Sequence, residues 1–381
     1  MITSLRVSNY RSLGPRIELR PGRLSVLIGP NGSGKSNVLD VLSFLRDAMM
    51  LGLSAAVIHR GGIGSVRRRS TGRPFDVSIE LEFELADSTA SYRFVLTGDR
   101  QEEYKVKSES ADIFVAGKRA AYFIRGEKWS SSENIVPRMD DQSLALNILG
   151  GLKTFKPLVD FLSSMMVYAI FPDTLRLPQK FDPALSMKAH GENWVSILRD
   201  LVKRTADKRE LIVGLQKLTG DILDVRVKSA SQHLIAEFRQ EHRAKKVKAW
   251  FDAAGESDGT LRVAGLLTAL LQTPPLPVIG VEEPELTVHP GALPMLMDYL
   301  RQASEVSQVF ITTHNPILLD RVEIDRDPVF MVTRSAGETR VDRVSEHQLD
   351  PVRRNLLSLG ELFVAGGIQG AFPFDDGIIP E

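Results

Sequence analysis

A glycine-rich segment near the start of the sequence carries the residue types that bind phosphate groups. Glycines let successive backbone N–H groups converge on phosphate oxygens, and a helix N-terminus beyond them adds a partial positive charge. An apolar segment, Leu24–Ile28, precedes this segment, and Val38–Met50 follows it with helical spacing of apolar residues. Every position of the P-loop pattern G-x-x-x-x-G-K-[ST] is matched, by Gly29, Pro30, Asn31, Gly32, Ser33, Gly34, Lys35 and Ser36.

This P-loop predicts a site for a nucleoside triphosphate. Lys35 would reach the β- and γ-phosphates, and the hydroxyl of Ser36 would bind Mg²⁺. We expect all eight residues of the loop, together with the adjoining Asn37, to form the nucleotide-binding segment.

Two carboxylates follow an apolar segment in the last third of the sequence. Val278–Val281 has the composition of a buried strand, and Glu282 and Glu283 come directly after it. Open α/β sheets bind their ligands at the carboxyl ends of the strands. We therefore assign Glu282 to the metal ion and Glu283 to the general base that polarises the attacking water. The alternative is an acidic turn after a strand, which would be favoured if the P-loop were absent.

His314 ends the next apolar segment, Val309–Thr313. One predicted helix separates this segment from the carboxylate segment, so we expect both to end at the same crevice. There the imidazole would contact the γ-phosphate or the attacking water. The other histidines, such as His59 and His347, are interpreted as structural, because no pair has the spacing of metal ligands.

These three elements, in this order, resemble the ATP-binding-cassette (ABC) ATPases, specifically their SMC/RecF-like branch. The resemblance implies that the nucleotide is ATP with Mg²⁺, that it is hydrolysed to ADP and phosphate, and that His314 is the switch histidine. Ser257 and Gly259 match the family's signature loop and would meet the γ-phosphate bound by a second copy of the chain. The sequence departs from the usual signature in two places, because Glu256 takes the Leu position and Asp258 the first Gly position.

The resemblance extends to three further segments. Asn9–Ser12 is similar to the SMC/RecF-like start, where a basic residue, here Arg11, approaches the phosphates; a surface turn is the alternative reading. Residues 284–290 would be the loop that links the two active sites of a dimer. The family's glutamine loop has two candidates, Gln142 and Gln179, and the sequence does not separate them.

The periodicity of the remaining sequence predicts an α/β fold. Alternating apolar residues between Asp76 and Arg125 favour an antiparallel sheet, and residues 142–218 have a mainly helical pattern. Strands and helices alternate in the last third, which favours a parallel sheet covered by helices. With the resemblance, this predicts an ABC-ATPase P-loop core with a mixed sheet, an antiparallel β subdomain and an inserted helical lobe. The predicted boundaries are 1–75 with 251–381 for the core, 76–135 for the β subdomain and 136–250 for the helical insert.

The composition excludes several classes of protein. The chain has 381 residues and no cysteine, which excludes disulfides, thiolate metal sites and cysteine nucleophiles. No apolar run approaches the roughly 20 residues that span a bilayer, and no signal-peptide core is present, so we expect a cytoplasmic protein. The 48 basic and 48 acidic residues balance, but unevenly along the chain. Residues 1–75 hold 12 basic and 3 acidic residues, whereas residues 251–381 hold 9 and 20.

Two basic clusters, residues 67–73 and 242–248, are candidates for contact with nucleic-acid phosphates. The alternative is a solvated loop or an exposed strand face. Asp325 and Asp327 resemble the D-x-D of a Toprim nuclease, but the residues after His314 are too few for that domain. We therefore interpret the two aspartates as a turn and expect a separate effector protein.

These observations predict an ATPase that closes as a head-to-tail homodimer, or a higher assembly of dimers, around two ATP–Mg²⁺ sites. The closed dimer would act as a clamp on nucleic acid or as a platform for the effector, in phage defence or DNA maintenance. One alternative is a nucleotide-sensing scaffold that regulates a toxin or nuclease with little hydrolysis. A transporter ATPase subunit is another alternative, disfavoured by the altered signature and the unplaced glutamine loop.

Overall fold

The computed structural model describes residues 1–220, 222–242 and 247–368. The chain divides into two compact units. One contains Met1–Met165 and the described residues from Glu323 onward, and the other contains Met166–Val322.

The N-terminal part of the first unit is built around an antiparallel sheet. Its strands are β1 (Ile2–Ser8), β2 (Ile17–Leu19), β3 (Leu24–Ile28), β4 (Val77–Glu84), β5 (Ser88–Thr97), β6 (Lys105–Val115), β7 (Lys118–Arg125) and β8 (Trp129–Ser131). Its helices are α1 (Lys35–Met50), α2 (Leu53–Ile58), α3 (Ile63–Val66), α4 (Ala145–Leu149) and α5 (Lys156–Ser163). Seven of these strands join in the order β2-β1-β4-β5-β6-β7-β8, and every neighbouring pair is antiparallel.

The alternation predicted for this sheet is confirmed by the burial of β4. Val77, Ile79, Leu81 and Phe83 are all buried, whereas the residues between them are partly exposed. One face of the strand therefore packs into the core and the other faces outward. Strand β1 extends the same sheet with matching alternation, because its Val7 lies opposite Ile79.

The second unit contains a parallel sheet and an antiparallel sheet. Its strands are β9 (Met166–Tyr168), β10 (Gln179–Lys180), β11 (Ile222–Ala230), β12 (His233–His242), β13 (Val247–Asp252), β14 (Val278–Glu282) and β15 (Gln308–Thr313). Its helices are α6 (Pro172–Arg176), α7 (Trp194–Lys203), α8 (Thr205–Thr219), α9 (Asp258–Leu271), α10 (Leu293–Ser304) and α11 (Pro316–Leu319). Strand β14 pairs in parallel with β9 and β15, and β12 pairs antiparallel with β10, β11 and β13.

The C-terminal segment returns to the first unit with β16 (Val329–Ser335), β17 (Glu338–Arg343), α12 (Glu346–Arg353) and α13 (Leu359–Val364). Strand β16 is parallel to β3 and antiparallel to β17. The sheet that contains these three strands is therefore mixed. The predicted fold class, an α/β fold with a mixed sheet, is confirmed. Among the described residues, no helix combines the length and apolar composition needed to cross a membrane.

A buried carboxylate joins the antiparallel sheet to the helices that follow it. Glu109, on β6, is 1% exposed and accepts hydrogen bonds from the backbone N–H groups of Ala145 (2.6 Å) and Leu146 (3.0 Å) and from the hydroxyl of Tyr92 (3.0 Å). Burial raises the pKa of Glu109 to about 6, because the charged form is poorly solvated there.

This raised pKa predicts a pH dependence of stability. The folded state holds the proton of Glu109 more tightly than the unfolded chain does. Its contribution to the free energy of unfolding is therefore fully present below the unfolded pKa and is lost as pH rises from about 4.5 through 6, by about 2 kcal/mol. Glu109→Gln should remove this component of the pH dependence. Urea unfolding of both proteins at pH 4.5, 5.5 and 7 measures it, and identical pH profiles would contradict the prediction.

Candidate functional site

The P-loop connects β3 to α1 in the first unit, and its conformation depends on two glycines. Gly34 has φ +107°, and a Cβ there would lie 2.4 Å from the Oγ1 of Thr339. A Cβ at Gly29 would lie 2.2 Å from the backbone oxygen of Val332. Both distances are far inside van der Waals contact, so only glycine fits at these positions. The loop therefore packs closely against β16 and β17.

Lys35 is the first residue of α1 and is almost completely buried. Its Nζ donates hydrogen bonds to the carbonyl oxygens of Gly29 (2.8 Å) and Pro30 (3.1 Å). The ammonium group thus lies over the P-loop main chain, where a phosphate held by the loop would meet it.

A chain of three hydrogen bonds supports the loop. The amide of Asn37 donates to the Oγ of Ser12 (2.6 Å), which lies 2.7 Å from the Oγ1 of Thr339. Thr339 in turn donates to the backbone oxygen of Ser33 (2.7 Å). Through these hydrogen bonds the side-chain amide of Asn37 is linked to the P-loop main chain at Ser33. No motif in the sequence indicates Thr339, which lies about 300 residues further along the chain.

Arg11 follows β1 in a left-handed conformation, with φ +50°. Its Nε lies 2.6 Å from the Oδ2 of Asp40, which also accepts a hydrogen bond from the hydroxyl of Tyr10 (2.5 Å). Arg60 donates to the other oxygen of the same carboxylate (3.0 Å). Burial raises the pKa of Tyr10 well above its usual value, so the phenol is neutral and donates. Arg11 is therefore ion-paired with α1, and its contact with phosphate stays a prediction.

The predicted carboxylates and histidine meet in the second unit, where β14 and β15 end side by side. Glu283 has φ +43°, and its N–H donates to the backbone oxygen and the Oγ1 of Thr312, both at 3.1 Å. A left-handed non-glycine residue costs of order 1–3 kcal/mol, so the packing of β15 fixes this turn against its local preference. The turn places a Glu283 Oε1 3.5 Å from the Nδ1 of His314.

A third carboxylate, Glu285, lies beneath this pair. It is 6% exposed, and its Oε1 accepts from the Oγ1 of Thr313 (2.6 Å) and lies 4.0 Å from the Nδ1 of His314. Burial raises the pKa of Glu285, against the opposing effect of the Thr313 hydrogen bond. The Nδ1 of the imidazole thus lies within 4.0 Å of a partly exposed carboxylate, Glu283, and of a buried one, Glu285.

Arg262, on α9, is a cation of this cluster that the sequence analysis missed. Its Nη2 donates to the carbonyl oxygens of Glu282 (3.4 Å) and Glu283 (3.3 Å). Burial lowers the pKa of Arg262, against the attraction of the three neighbouring carboxylates of Glu282, Glu283 and Glu285. The only signal in the sequence is that Arg262 is the sole basic residue of α9.

The signature-like segment caps α9. The Oγ of Ser257 accepts from the N–H of Thr260 (3.1 Å), which makes Ser257 the N-cap. A Cβ at Gly259 would lie 2.6 Å from the backbone oxygen of Thr287, so glycine permits the close approach of the loop formed by residues 284–290. The predicted signature loop and the predicted linking loop are therefore in direct contact within the second unit.

Oxygen ligands suit Mg²⁺, and the Ser36 hydroxyl and Glu282 carboxylate supply the kind of ligand it prefers. Within the described part of the chain, no group of three or more His, Asp or Glu side chains could hold a metal ion by itself. Mg²⁺ is usually bound by one or two protein oxygens together with substrate phosphates and water.

The first basic cluster is partly used within the fold. Arg67 is buried and donates to the backbone oxygens of Arg100 and Glu103, so it does not contribute to a solvent-facing surface. Arg68 is ion-paired with Glu338 (2.9 Å), whereas Arg69 is exposed. Of the second cluster, residues 243–246 lie outside the described residues. The contact of this cluster with nucleic acid therefore stays a prediction.

Two smaller predictions can be compared with the structure. The buried amide of Gln179 donates to the oxygen of Gly191 (2.8 Å) and accepts from the N–H of Val195 (2.9 Å), so it has a structural role. Gln142 donates to the oxygen of Tyr104 (3.3 Å).

Asp327 is buried in a turn, where it accepts from the N–H of Glu323 (3.1 Å), and the interpretation of this segment as a turn is confirmed.

Comparison with known proteins gives a family and a fold. Residues 24–320 match the family described as "AAA domain, putative AbiEii toxin, Type IV TA system". A crystal structure of an Smc head bound to the C-terminal winged-helix domain of ScpA superposes with a TM-score of 0.57 at 14% identity, over 93% of this chain and 99% of that one. At this identity the likeness concerns the fold.

Two proteins with similar sequences are also SMC proteins. The structural maintenance of chromosomes protein 4 of Caenorhabditis elegans is 31% identical over 99 residues, which is 25% of this chain and 6% of that protein. The chromosome partition protein Smc of Delftia acidovorans is 28% identical over 182 residues, 41% of this chain and 15% of that protein. The chain thus matches only a small part of the length of these relatives.

Proposed function

Because this chain belongs to that AAA-domain family and is an SMC/RecF-like ABC-type ATPase, we propose that it binds ATP with Mg²⁺ and hydrolyses it to ADP and phosphate. The observation that carries the proposal is the Glu283–His314 pair, 3.5 Å apart at the ends of two parallel strands, in a chain with a complete P-loop. A base next to an imidazole suits the activation of water beside a phosphate.

Each residue has a separate role in the proposed reaction. The P-loop N–H groups and Lys35 would hold the phosphates, and Ser36 and Glu282 would hold Mg²⁺, whose charge would offset that of the phosphates. Glu283 accepts the proton of the attacking water. His314, whose Nδ1 lies 3.5 Å from Glu283 and 4.0 Å from Glu285, orients that water or contacts the γ-phosphate. Arg262 fixes the main chain on which both glutamates depend.

We further propose that the complete site forms between two copies of the chain. Ser257 and Gly259 of one copy would contact the γ-phosphate held by the other, with residues 284–290 joining the two sites. The contact of Gly259 with Thr287 supports a coupling between these two loops, since a shift of one must move the other.

The output we propose is a clamp on nucleic acid or a platform for a separate effector, in phage defence or DNA maintenance. With Arg67 and Arg68 engaged inside the fold, a nucleic-acid surface would depend on Arg69 and Arg73 of the first cluster and on residues 242–248.

A mixture of two inactive variants tests the shared site. Lys35→Ala should inactivate the P-loop side of every site, and Ser257→Arg the signature side, so each variant alone should hydrolyse no ATP. In an equal mixture half of the dimers are mixed, and each mixed dimer keeps one intact site. The expected steady-state ATPase rate is therefore about a quarter of the wild-type rate.

The control is each variant alone at the total protein concentration of the mixture. Subunit exchange is verified by capture of an untagged variant on a tagged one. A mixture that exchanges subunits and stays inactive would contradict the head-to-tail site. A Ser257→Arg protein that keeps full activity alone would contradict the role of the signature loop.

A further inference from the structure

The signature-like loop of this chain carries a negative charge at a position where the family has glycine. Asp258 is the first residue of α9, and its side chain is 58% exposed. A helix N-terminus attracts anions through its N–H groups and its dipole. An unneutralised carboxylate at this position would compete with a phosphate for the helix N-terminus and repel it. The departure from the family pattern therefore calls for a compensating charge.

Arg176, the last residue of α6, supplies that charge. Its Nη2 donates to the Oδ1 of Asp258 and to the backbone oxygen of Glu256 (3.1 Å), while Nη1 donates to Asp173 (2.8 Å). One planar guanidinium thus pairs with the carboxylate and fixes the main chain two residues earlier in the loop. Lysine could not make both contacts with the same geometry, because it lacks the planar fork of donors.

The second departure from the family pattern, Glu256, is also held inside the unit. It is 7% exposed, and the Nε2 of Gln240, on β12, lies 2.9 Å from each of its carboxylate oxygens. Gln240 and Arg176 therefore both hold Glu256, and Arg176 also holds Asp258. Ser257 lies between these two held residues, and Gly259 follows them directly.

We propose that Arg176 is a positioning residue of the trans-acting signature loop, which it holds in shape while neutralising Asp258 for the approach of a second copy's ATP phosphates. This inference rests on the proposed function, because it assumes that the loop meets a nucleotide bound by another subunit. It adds a residue from outside the motifs and explains how a Ser-Asp-Gly loop serves where the family uses Ser-Gly-Gly.

Variants that remove the charge of Arg176, of Asp258 or of both separate this role from simple structural support. Arg176→Ala leaves Asp258 unneutralised, and we expect the KM for ATP and the concentration needed for ATP-dependent dimer formation to rise at least about tenfold. Asp258→Asn removes the charge that needs neutralising, and we expect values close to wild type. The double variant should return to within about threefold of wild type. Arg176→Lys keeps the charge and should be intermediate.

The readouts are steady-state ATPase kinetics and light scattering with ATP, with Arg209→Ala, an exposed arginine of the same unit, as the control. An Arg176→Ala protein with wild-type KM and dimer formation would overturn the proposal. A double variant as impaired as Arg176→Ala would also overturn it, since the defect would then not be electrostatic.

A second measurement keeps this inference distinct from the proposed function. Hydrogen exchange of the amides of residues 257–262, in the protein without nucleotide, should accelerate in Arg176→Ala relative to wild type. If wild-type protein neither hydrolyses ATP nor dimerises with it, the proposed function fails whatever the exchange shows. If wild type is active and exchange at the loop is unchanged in Arg176→Ala, the positioning role fails alone.

Discussion

Glu283→Gln should lower ATP turnover at least about 100-fold while ATP binding is retained. A positioned general base contributes about 10²–10⁴-fold to proton transfer, and glutamine keeps the shape of the side chain but cannot accept the proton. The variant should therefore accumulate with ATP bound, as a dimer that does not reopen. Single-turnover hydrolysis and light scattering with ATP measure the two effects.

The control for this variant is Glu127→Gln, at the exposed turn between β7 and β8, which should leave turnover unchanged. Undiminished turnover in Glu283→Gln would exclude this residue as the base. In that case Glu285 would be the next carboxylate to test, because it lies 4.0 Å from the same imidazole and burial raises its pKa.

Lys35→Ala should abolish detectable ATP binding at micromolar concentrations. Charge-assisted hydrogen bonds to phosphate contribute about 1.5–3 kcal/mol each, so the loss of contacts to two phosphates predicts at least about a 100-fold lower affinity. Equilibrium binding of a fluorescent ATP analogue measures this effect.

Lys35 also bonds to two carbonyl oxygens of the loop, so Lys35→Ala needs a check of folding. Its thermal unfolding should be compared with that of Lys128→Ala, a matched change at an exposed position in the same unit. An unfolding temperature close to wild type together with unchanged ATP affinity would contradict the role of Lys35.

The motif residues could be predicted from the sequence because they are contiguous and their chemistry is specific. The P-loop needs eight residues in a row, and the apolar segments that precede Glu283 and His314 are recognisable strands. The 3.5 Å separation of their side chains follows from the parallel pairing of β14 and β15. The antiparallel sheet could also be predicted, because apolar and polar residues alternate along its strands. The domain boundaries stay a prediction.

The supporting residues could not be predicted, because their partners are distant in sequence and their types are common. Thr339 and Arg176 stand in short polar segments with no motif around them, yet each bonds to a functional loop. In the first basic cluster, the tertiary structure reduces the number of exposed arginines. A run of arginines indicates a charged surface, but Arg67 is buried against backbone oxygens whose position only the tertiary structure defines.

The pairing of β3 with β16 has a consequence for biosynthesis. The strand that leads into the P-loop gains this partner about 300 residues later, and Gly29 and Gly34 are moulded on residues of β16 and β17. At translation rates of about 5–20 residues per second, the segment that emerges first waits about 15–60 s for the strands that shape it. A nascent chain therefore acquires its phosphate-binding conformation only after β16 and β17 have been synthesised.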